Sequence, residues 1–263
     1  MQDIKIRLYE HLDSVRANDY NPIYLALQGS QNYQLDYEGS DIDTKAIVLP
    51  SLKDIVLSKK AVSTTHILKN DEHCDVKDVR LMCGNFLKQN INFLEILFTP
   101  YYWVDENYKP EIEELRALRE EIAHYNMIAA VNCMAGMAYE KKKAMEHPYP
   151  ATISKIEKFG YDPKQLHHIC RMREFMERYL AGESFENCLI TNHKGYLLDV
   201  KKGCYALDQA RLVANAELEV IEELKEKYRP TLSSARDEIK DRVDNIIYSL
   251  IAKKLKKDLE NSC

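Results

Sequence analysis

The 263-residue sequence lacks any long apolar run. Charged residues interrupt every stretch, mean hydropathy is −0.45, and nothing approaches the roughly 18 to 20 apolar residues that a membrane span needs. A soluble protein with no membrane partner is expected. The start, Met1-Gln2-Asp3-Ile4-Lys5-Ile6-Arg7, lacks the continuous apolar core of a signal peptide, which argues against secretion. C-x-x-C pairs are missing too. The seven cysteines (Cys74, Cys83, Cys133, Cys170, Cys188, Cys204 and Cys263) stand singly. That spacing argues against a zinc site or a disulfide framework and for reduced thiols in the cytoplasm. Basic excess is also lacking: the formal net charge is −5. This excludes a nucleic-acid binder that works through overall charge and leaves a local basic patch open. Internal repeats and low-complexity linkers are absent. What remains is a chain with 45% hydrophobic and 30% charged residues, long enough for one large or two small domains with a real core.

The first hundred residues mix short β-type runs with turn clusters, and the rest is mostly of helical period. Ile4, Leu8, Leu12 and Val15 predict an amphipathic helix over 4–16. After Asn21-Pro22, the run Ile23 to Leu27 reads as a buried strand ending at Gly29. A polar loop from Gln31 to Ser40 leads to a second strand, Asp41 to Leu49, closed by Pro50. A third strand is expected around Cys74 to Val76, with Asp78 capping the helix that follows, and Asn92 to Phe98 is a further apolar segment. From Pro110 the pattern is helical: one stripe through Ile112 and Ile122, then Met127 to Met145. A helix opened by Asp162-Pro163 runs to Gly182, and two more span Ala206 to Tyr228 and Ser233 to Leu259. Cys188 to Tyr196 is polar and suggests short strands. The expected fold is therefore α+β or α/β: a small mixed sheet with flanking helices over 1–110, and a helical domain over 111–263.

The chemistry-bearing segment is Leu27-Gln28-Gly29-Ser30, ten residues, then Asp41-Ile42-Asp43-Thr44-Lys45. In an extended strand Asp41, Asp43 and Lys45 share one face. Two like charges on one face repel unless a cation sits between them, and hard carboxylate oxygens suit Mg²⁺ or Mn²⁺. Gly29 lets backbone N–H groups approach an anion and Ser30 adds a hydroxyl, a combination that suits a triphosphate. Together they describe a phosphoryl-transfer site, in which metals clamp the attacking and leaving oxygens of an in-line displacement. Such a site normally takes a third carboxylate. Asp75 is the first choice, and Asp78, three residues on and facing the other way, is the reserve. Each feature has a plainer reading as well: a solvated strand face for the aspartates, a simple turn for Gly-Ser, and charge neutralisation for Lys45.

These residues resemble the DNA polymerase β nucleotidyltransferase superfamily, whose hallmark is Gly-Ser, a short loop, and Asp-x-Asp or Asp-x-Glu. Gly29-Ser30-Gln31-Asn32-Tyr33-Gln34-Leu35 followed by Gly39-Ser40-Asp41-Ile42-Asp43 is similar to a bacterial and phage branch that reads Gly-Ser-Arg-Ala-Tyr-Gly-Leu, then Ser-Asp-x-Asp. Gln31 and Gln34 depart from it, replacing an arginine and a glycine. The resemblance continues through Asn92 to Phe98 and weakly through the helix Lys164 to Arg173. It implies transfer of a nucleoside monophosphate from an NTP, with release of pyrophosphate. In that scheme Asp41, Asp43 and Asp75 are metal-binding and catalytic, and Gly29 and Ser30 hold the β- and γ-phosphates.

The helical half offers weaker binding candidates. Lys142, within Lys141-Lys142-Lys143, and the pair His168 and Arg171, three apart on one helix face, are candidates for holding the nucleotide or an RNA backbone, as is Lys45 on the sheet. Solvated lysines and a packed His–Arg pair are the plainer readings. Lys253 to Lys257 reads as a helix-dipole complement. Tyr101-Tyr102-Trp103 suits either base stacking or core packing. The expected acceptor is an RNA 3′ end such as that of a tRNA. A small-molecule hydroxyl, a protein hydroxyl, or an inactive nucleotide- or RNA-binding regulator are the alternatives.

Overall fold

Ile4, Leu8, Leu12 and Val15 form one stripe of α1 (Ile4–Ala17), and Leu8, Leu12 and Val15 are buried. The computed structural model describes residues 4–37, 39–68, 71–150 and 152–261. Of the residues weighed above, Met1, Gln2, Asp3 and Cys263 lie outside them. The strands are β1 (Asn21–Gln28), β2 (Asp43–Leu49), β3 (Ser63–Ile67), β4 (His73–Asp78) and β5 (Tyr102–Val104). Between and after them run α2 (Leu52–Val56), α3 (Met82–Leu87), α4 (Ile91–Leu94), α5 (Lys109–Ala117) and α6 (Arg119–Ala123). Then come α7 (Met127–Ala144), α8 (Ile153–Phe159), α9 (Pro163–Leu180), α10 (Phe185–Leu189), α11 (Lys194–Lys201), α12 (Leu207–Tyr228) and α13 (Asp237–Glu260). The fold is α+β, as the alternation of strand and helix patterns implies.

The chain divides into two compact units, one made of 1–32, 36–125 and 235–263, the other of 33–35 and 126–234. The boundary near Pro110 expected from the sequence falls inside the first unit. The reason is packing: α5 and α6 stay with the sheet, and α13 returns from the end of the chain to pack on α2, α3 and α5. Lys253, read as a dipole complement, pairs with Glu111 of α5 at 3.0 Å.

In the first unit the strand order is β3-β4-β2-β1-β5. β2 and β4 run parallel and the other neighbours antiparallel, so the sheet is mixed. β1 lies inside the sheet between β2 and β5, and its residues 22–27 are all buried because helices and turns cover both faces. On one face Leu25, Ala46, Val48, Cys74 and Val76 pack against Leu8, Leu12 and Val15 of α1. The opposite face carries Tyr24 at one end, whose hydroxyl donates to the Ile96 carbonyl at 2.5 Å, and polar side chains at the other.

Two strands differ from expectation. β2 starts at Asp43, so Asp41 and Ile42 precede it. β3 was not anticipated, because Ser-Thr-Thr-His-Ile is polar and lies at the sheet edge with alternate residues exposed. Residues 188–196 contain no strand: α10 and α11 occupy the region, with Ser184 capping the first. Tyr102 and Trp103 are sheet residues rather than a stacking platform. Trp103 packs in the α1 cluster and Arg116 lies 4.0 Å over the Tyr102 ring.

In the second unit α9 is the central helix, flanked by α7, α11 and α12. Asp162 caps it by accepting from the Lys164 N–H at 3.0 Å, with Pro163 in the first turn.

Candidate active site

β1 ends at Gln28, and Gly29 turns the chain with φ at +94°, a conformation that favours glycine. Ser30 opens a 3-10 turn (Ser30–Tyr33). Across the ladder Gln28 pairs with Asp43, so the Gly-Ser turn and the first aspartate of β2 are neighbours by register. On the other side of β2, Lys45 pairs with Asp75 of β4. Side-by-side strand residues point the same way. Gln28, Asp43, Lys45 and Asp75 therefore project from one face.

The side chains there are engaged. Lys45 Nζ donates to Asp75 Oδ2 at 3.0 Å, and its side chain is only 6% exposed against 26% for Asp75. Thr65 Oγ1 donates to Asp75 Oδ1 at 2.6 Å, and Gln28 Nε2 lies 3.4 Å from Oδ2. Burial pushes the Asp75 carboxyl up. The Lys45 charge and the hydrogen bonds from Thr65, Lys45 and Gln28 outweigh it and hold Asp75 below the usual carboxylate range. Asp43 Oδ1 accepts from the His73 N–H at 2.9 Å. Asp41 is exposed, and its backbone carbonyl accepts from Gln31 Nε2 at 2.6 Å. Gln31, a departure from the resembled motif, thus ties the Gly-Ser turn to the Asp-x-Asp segment.

Asp78 is not an alternative third carboxylate. It is 1% exposed, accepts from the Arg80 N–H at 2.8 Å and pairs with the Arg80 guanidinium, in the capping role expected for it.

Two buried glutamates support this region and no sequence motif announced them. Glu72 accepts from the Ile42 N–H at 3.3 Å, from His11 Nε2 at 2.9 Å and from Arg7 Nε at 2.9 Å. A carboxylate only accepts, so the His11 proton sits on Nε2 and Nδ1 accepts from the Thr44 hydroxyl at 2.8 Å. Burial lowers the His11 pKa despite Glu72, which keeps the ring neutral near pH 7. Glu95 places both carboxylate oxygens 3.4 Å from the Gly29 N–H. That amide, expected to face a phosphate, is directed at Glu95.

Among the described residues no group of three or more His, Cys, Asp or Glu side chains is arranged to hold a metal ion. Asp75 faces the Lys45 ammonium instead of completing such a cluster. The donor chemistry still fits Mg²⁺, which takes one or two carboxylates and fills its shell with water and substrate phosphate. Asp41 and Asp43 would supply the carboxylates. Gln31 Oε1 and Asn32 Oδ1 are buried oxygens with no hydrogen-bond partner, and the first is tied through its own amide to Asp41.

The remaining nucleotide candidates lie in the second unit. Arg171 is 4% exposed, its guanidinium lies 3.4 Å over the Tyr33 ring, and its Nε and Nη2 are buried with no hydrogen-bond partner. His168 stands one turn before it. Burial, then the nearby His167, Lys141, Arg171 and Lys164, pushes its pKa well below the ordinary value. Lys141, rather than Lys142, is the α7 lysine whose charge bears on His168. Lys142 acts instead on Glu146 beyond the end of α7.

No protein-family model matches the chain, and no curated protein matches it. Among solved structures the chain is similar to a nucleotidyltransferase-like protein from Exiguobacterium sibiricum 255-15. The identity is 11%, the match covers 86% of this chain and 76% of that one, and the TM-score is 0.30. The likeness is distant, and the site rests on the residues themselves.

Proposed function

We propose that the chain is a metal-dependent nucleotidyltransferase, moving a nucleoside monophosphate from an NTP to an acceptor hydroxyl, most simply an RNA 3′ end. One observation carries the reading: the Gly29-Ser30 turn ends β1 beside Asp43 at the start of β2, and Asp75 stands one strand further on the same face. Gly29 makes the turn, and the Ser30 hydroxyl with Lys45 holds the β- and γ-phosphates. Asp41, Asp43 and Asp75 are the catalytic carboxylates. Asp41 and Asp43 would hold Mg²⁺ or Mn²⁺, which would supply charge neutralisation of the phosphate oxygens, while Asp75 stands beside Lys45 on the acceptor side. In the transfer the acceptor oxygen bonds to the α-phosphorus, the α–β bridging bond breaks, pyrophosphate leaves with the electron pair, and the hydroxyl proton passes to an Asp75 oxygen. Positioning and electrostatics account for most of the rate in such a reaction.

Within the second unit by itself, Arg171 and His168 are proposed as an anion-binding pair, with Lys142 as an outer charge. A buried guanidinium with two nitrogens lacking partners is costly on its own and suits an anion.

The test is incubation with each α-labelled NTP, Mg²⁺ or Mn²⁺ and total cell RNA, beside an Asp41→Ala, Asp43→Ala double variant. Label on RNA in the wild type alone supports the reading. Label on protein or on a small molecule keeps the enzyme and replaces the acceptor. NTP binding with no metal-dependent labelling of any acceptor turns the reading to a nucleotide-binding regulator.

A further inference from the structure

Beside Asp75 the first unit holds a cavity of about 500 Å³. Lys45, Lys60 and Lys77 line it, and Asp75 is the one carboxylate among its lining residues, so two positive charges are in excess. Lys77 lies two residues beyond Asp75 on β4, hence on the same face. Its ammonium is held there by donation to Ser63 Oγ at 2.7 Å. Asn85 and Asn92 bring carboxamides that can donate and accept, and buried Phe93 contributes an apolar wall.

Resting on the transferase reading, we propose that this cavity is the acceptor subsite and takes a phosphate-bearing acceptor of about one nucleotide, its phosphate on Lys60 and Lys77 and its hydroxyl toward Asp75. The sheet order separates the two substrates. Gly29-Ser30 ends β1, whereas the cavity is lined from β4, β3 and the residues before it, and reaches towards β1 only as far as Lys45 on β2. Neighbouring strands are about 4.8 Å apart, so β1 and β4 stand roughly 10 Å from each other. Donor phosphates at Ser30 and an acceptor phosphate at Lys77 then lie on opposite sides of Asp43 across the sheet, so the acceptor hydroxyl and the leaving pyrophosphate approach the α-phosphorus from different sides, as an in-line displacement requires. The volume falls within the range of about 300–1,000 Å³ typical of small-molecule sites. Surplus charge in a cavity lined by amides selects an anion with hydrogen-bonding groups over an apolar ligand.

The test is calorimetric binding in EDTA without NTP, comparing a nucleoside 5′-monophosphate with the same nucleoside. The wild type should bind the monophosphate at least about tenfold more tightly, two charge-assisted contacts being sufficient for that ratio. The Lys60→Gln, Lys77→Gln double variant should lose the preference, and Lys60→Arg, Lys77→Arg should keep it. Ribose 5-phosphate distinguishes the source: binding equal to the nucleotide assigns a sugar phosphate, and weaker binding assigns a nucleotide end. Equal monophosphate affinity in the wild type and the double variant overturns the proposal. The two readings fail separately. Lysine-dependent binding without any NTP transfer leaves the subsite standing, and NTP transfer with an acceptor KM unchanged in the double variant removes the subsite while leaving the transferase.

Discussion

Replacing Glu72 is the most informative perturbation, because this one carboxylate joins α1 to the backbone between two proposed metal ligands. Its side chain is 3% exposed, and Glu72→Ala removes the acceptor for Arg7, His11 and the Ile42 N–H together. Arg7, 16% exposed at its side chain, can turn to water, but His11 at 0% cannot. A buried donor left unpaired costs about 1–3 kcal/mol, and breaking a buried ion pair by deleting one partner about 3–5 kcal/mol. An overall loss of about 4 kcal/mol follows, and at roughly 2–4 °C per kcal/mol for a chain of this size the melting temperature falls by about 8–16 °C. Urea unfolding and a thermal scan measure it. Glu72→Gln retains an acceptor for the Ile42 amide and should lose about half as much. In an Arg7→Ala background the cost of Glu72→Ala should shrink by about 1 kcal/mol or more, since the two side chains are in direct contact. The amide that Glu72 holds lies between Asp41 and Asp43, so nucleotidyl transfer should fall more steeply than the folded fraction does. A Glu72→Ala protein within about 1 kcal/mol of the wild type refutes the argument.

Other outcomes follow from single sites. His167 donates or accepts at the Leu197 carbonyl at 2.9 Å, and since a carbonyl only accepts, the ring donates. Burial pushes its pKa down to about 4. Between pH 6.5 and 4 the unfolded chain binds the proton first, so stability declines with falling pH by up to about 3 kcal/mol. The decline should flatten in His167→Asn, measured as unfolding free energy against pH. His11 shifts in the same direction and adds to it. Arg171→Met removes a buried guanidinium with two nitrogens lacking partners. That relief offsets the lost stack on Tyr33, so the variant should melt no lower than the wild type and gain less than it does from inorganic triphosphate. Gln34 has φ at +58°. Gln34→Gly should therefore stabilise by about 0.5–1 kcal/mol in chemical denaturation, and a loss of stability contradicts the strain argument.

That last position shows what the sequence carried about the site. The resembled motif has glycine at 34, and the left-handed backbone of Gln34 is the conformation a glycine would adopt without strain. The helices of strong period, α1, α7, α9 and α12, were legible from spacing, and the caps Asp78 and Asp162 from their residue types. β3 was not legible, since an edge strand needs only one buried face and its polar residues give no apolar alternation. The membership of the first unit was not legible because α13 packs back on residues more than a hundred positions earlier, which no local pattern encodes. Gly29, Ser30, Asp41 and Asp43 were legible because a short loop links them. Glu72, Glu95 and Thr65 reach the same region from distant segments, where a lone polar residue looks like any other.

The charge balance of the sheet face links these points. On the sheet face Asp43 and Asp75 stand with Lys45 and Lys77, and Asp41 is exposed just before β2. Lys45 is buried and bonded to Asp75. Asp43 accepts from the His73 N–H beside the Gly-Ser turn, whereas Asp75 is held by Lys45 and Thr65 at the edge of the lysine-lined cavity. That asymmetry predicts a graded response. Asp43→Asn should abolish metal-dependent stabilisation by NTP, whereas Asp75→Asn should leave most of it and depress transfer, because Asp75 serves the acceptor. Thermal shift with NTP and Mg²⁺, set beside the transfer rate, separates the two roles, and equal loss of nucleotide stabilisation in both variants contradicts the division.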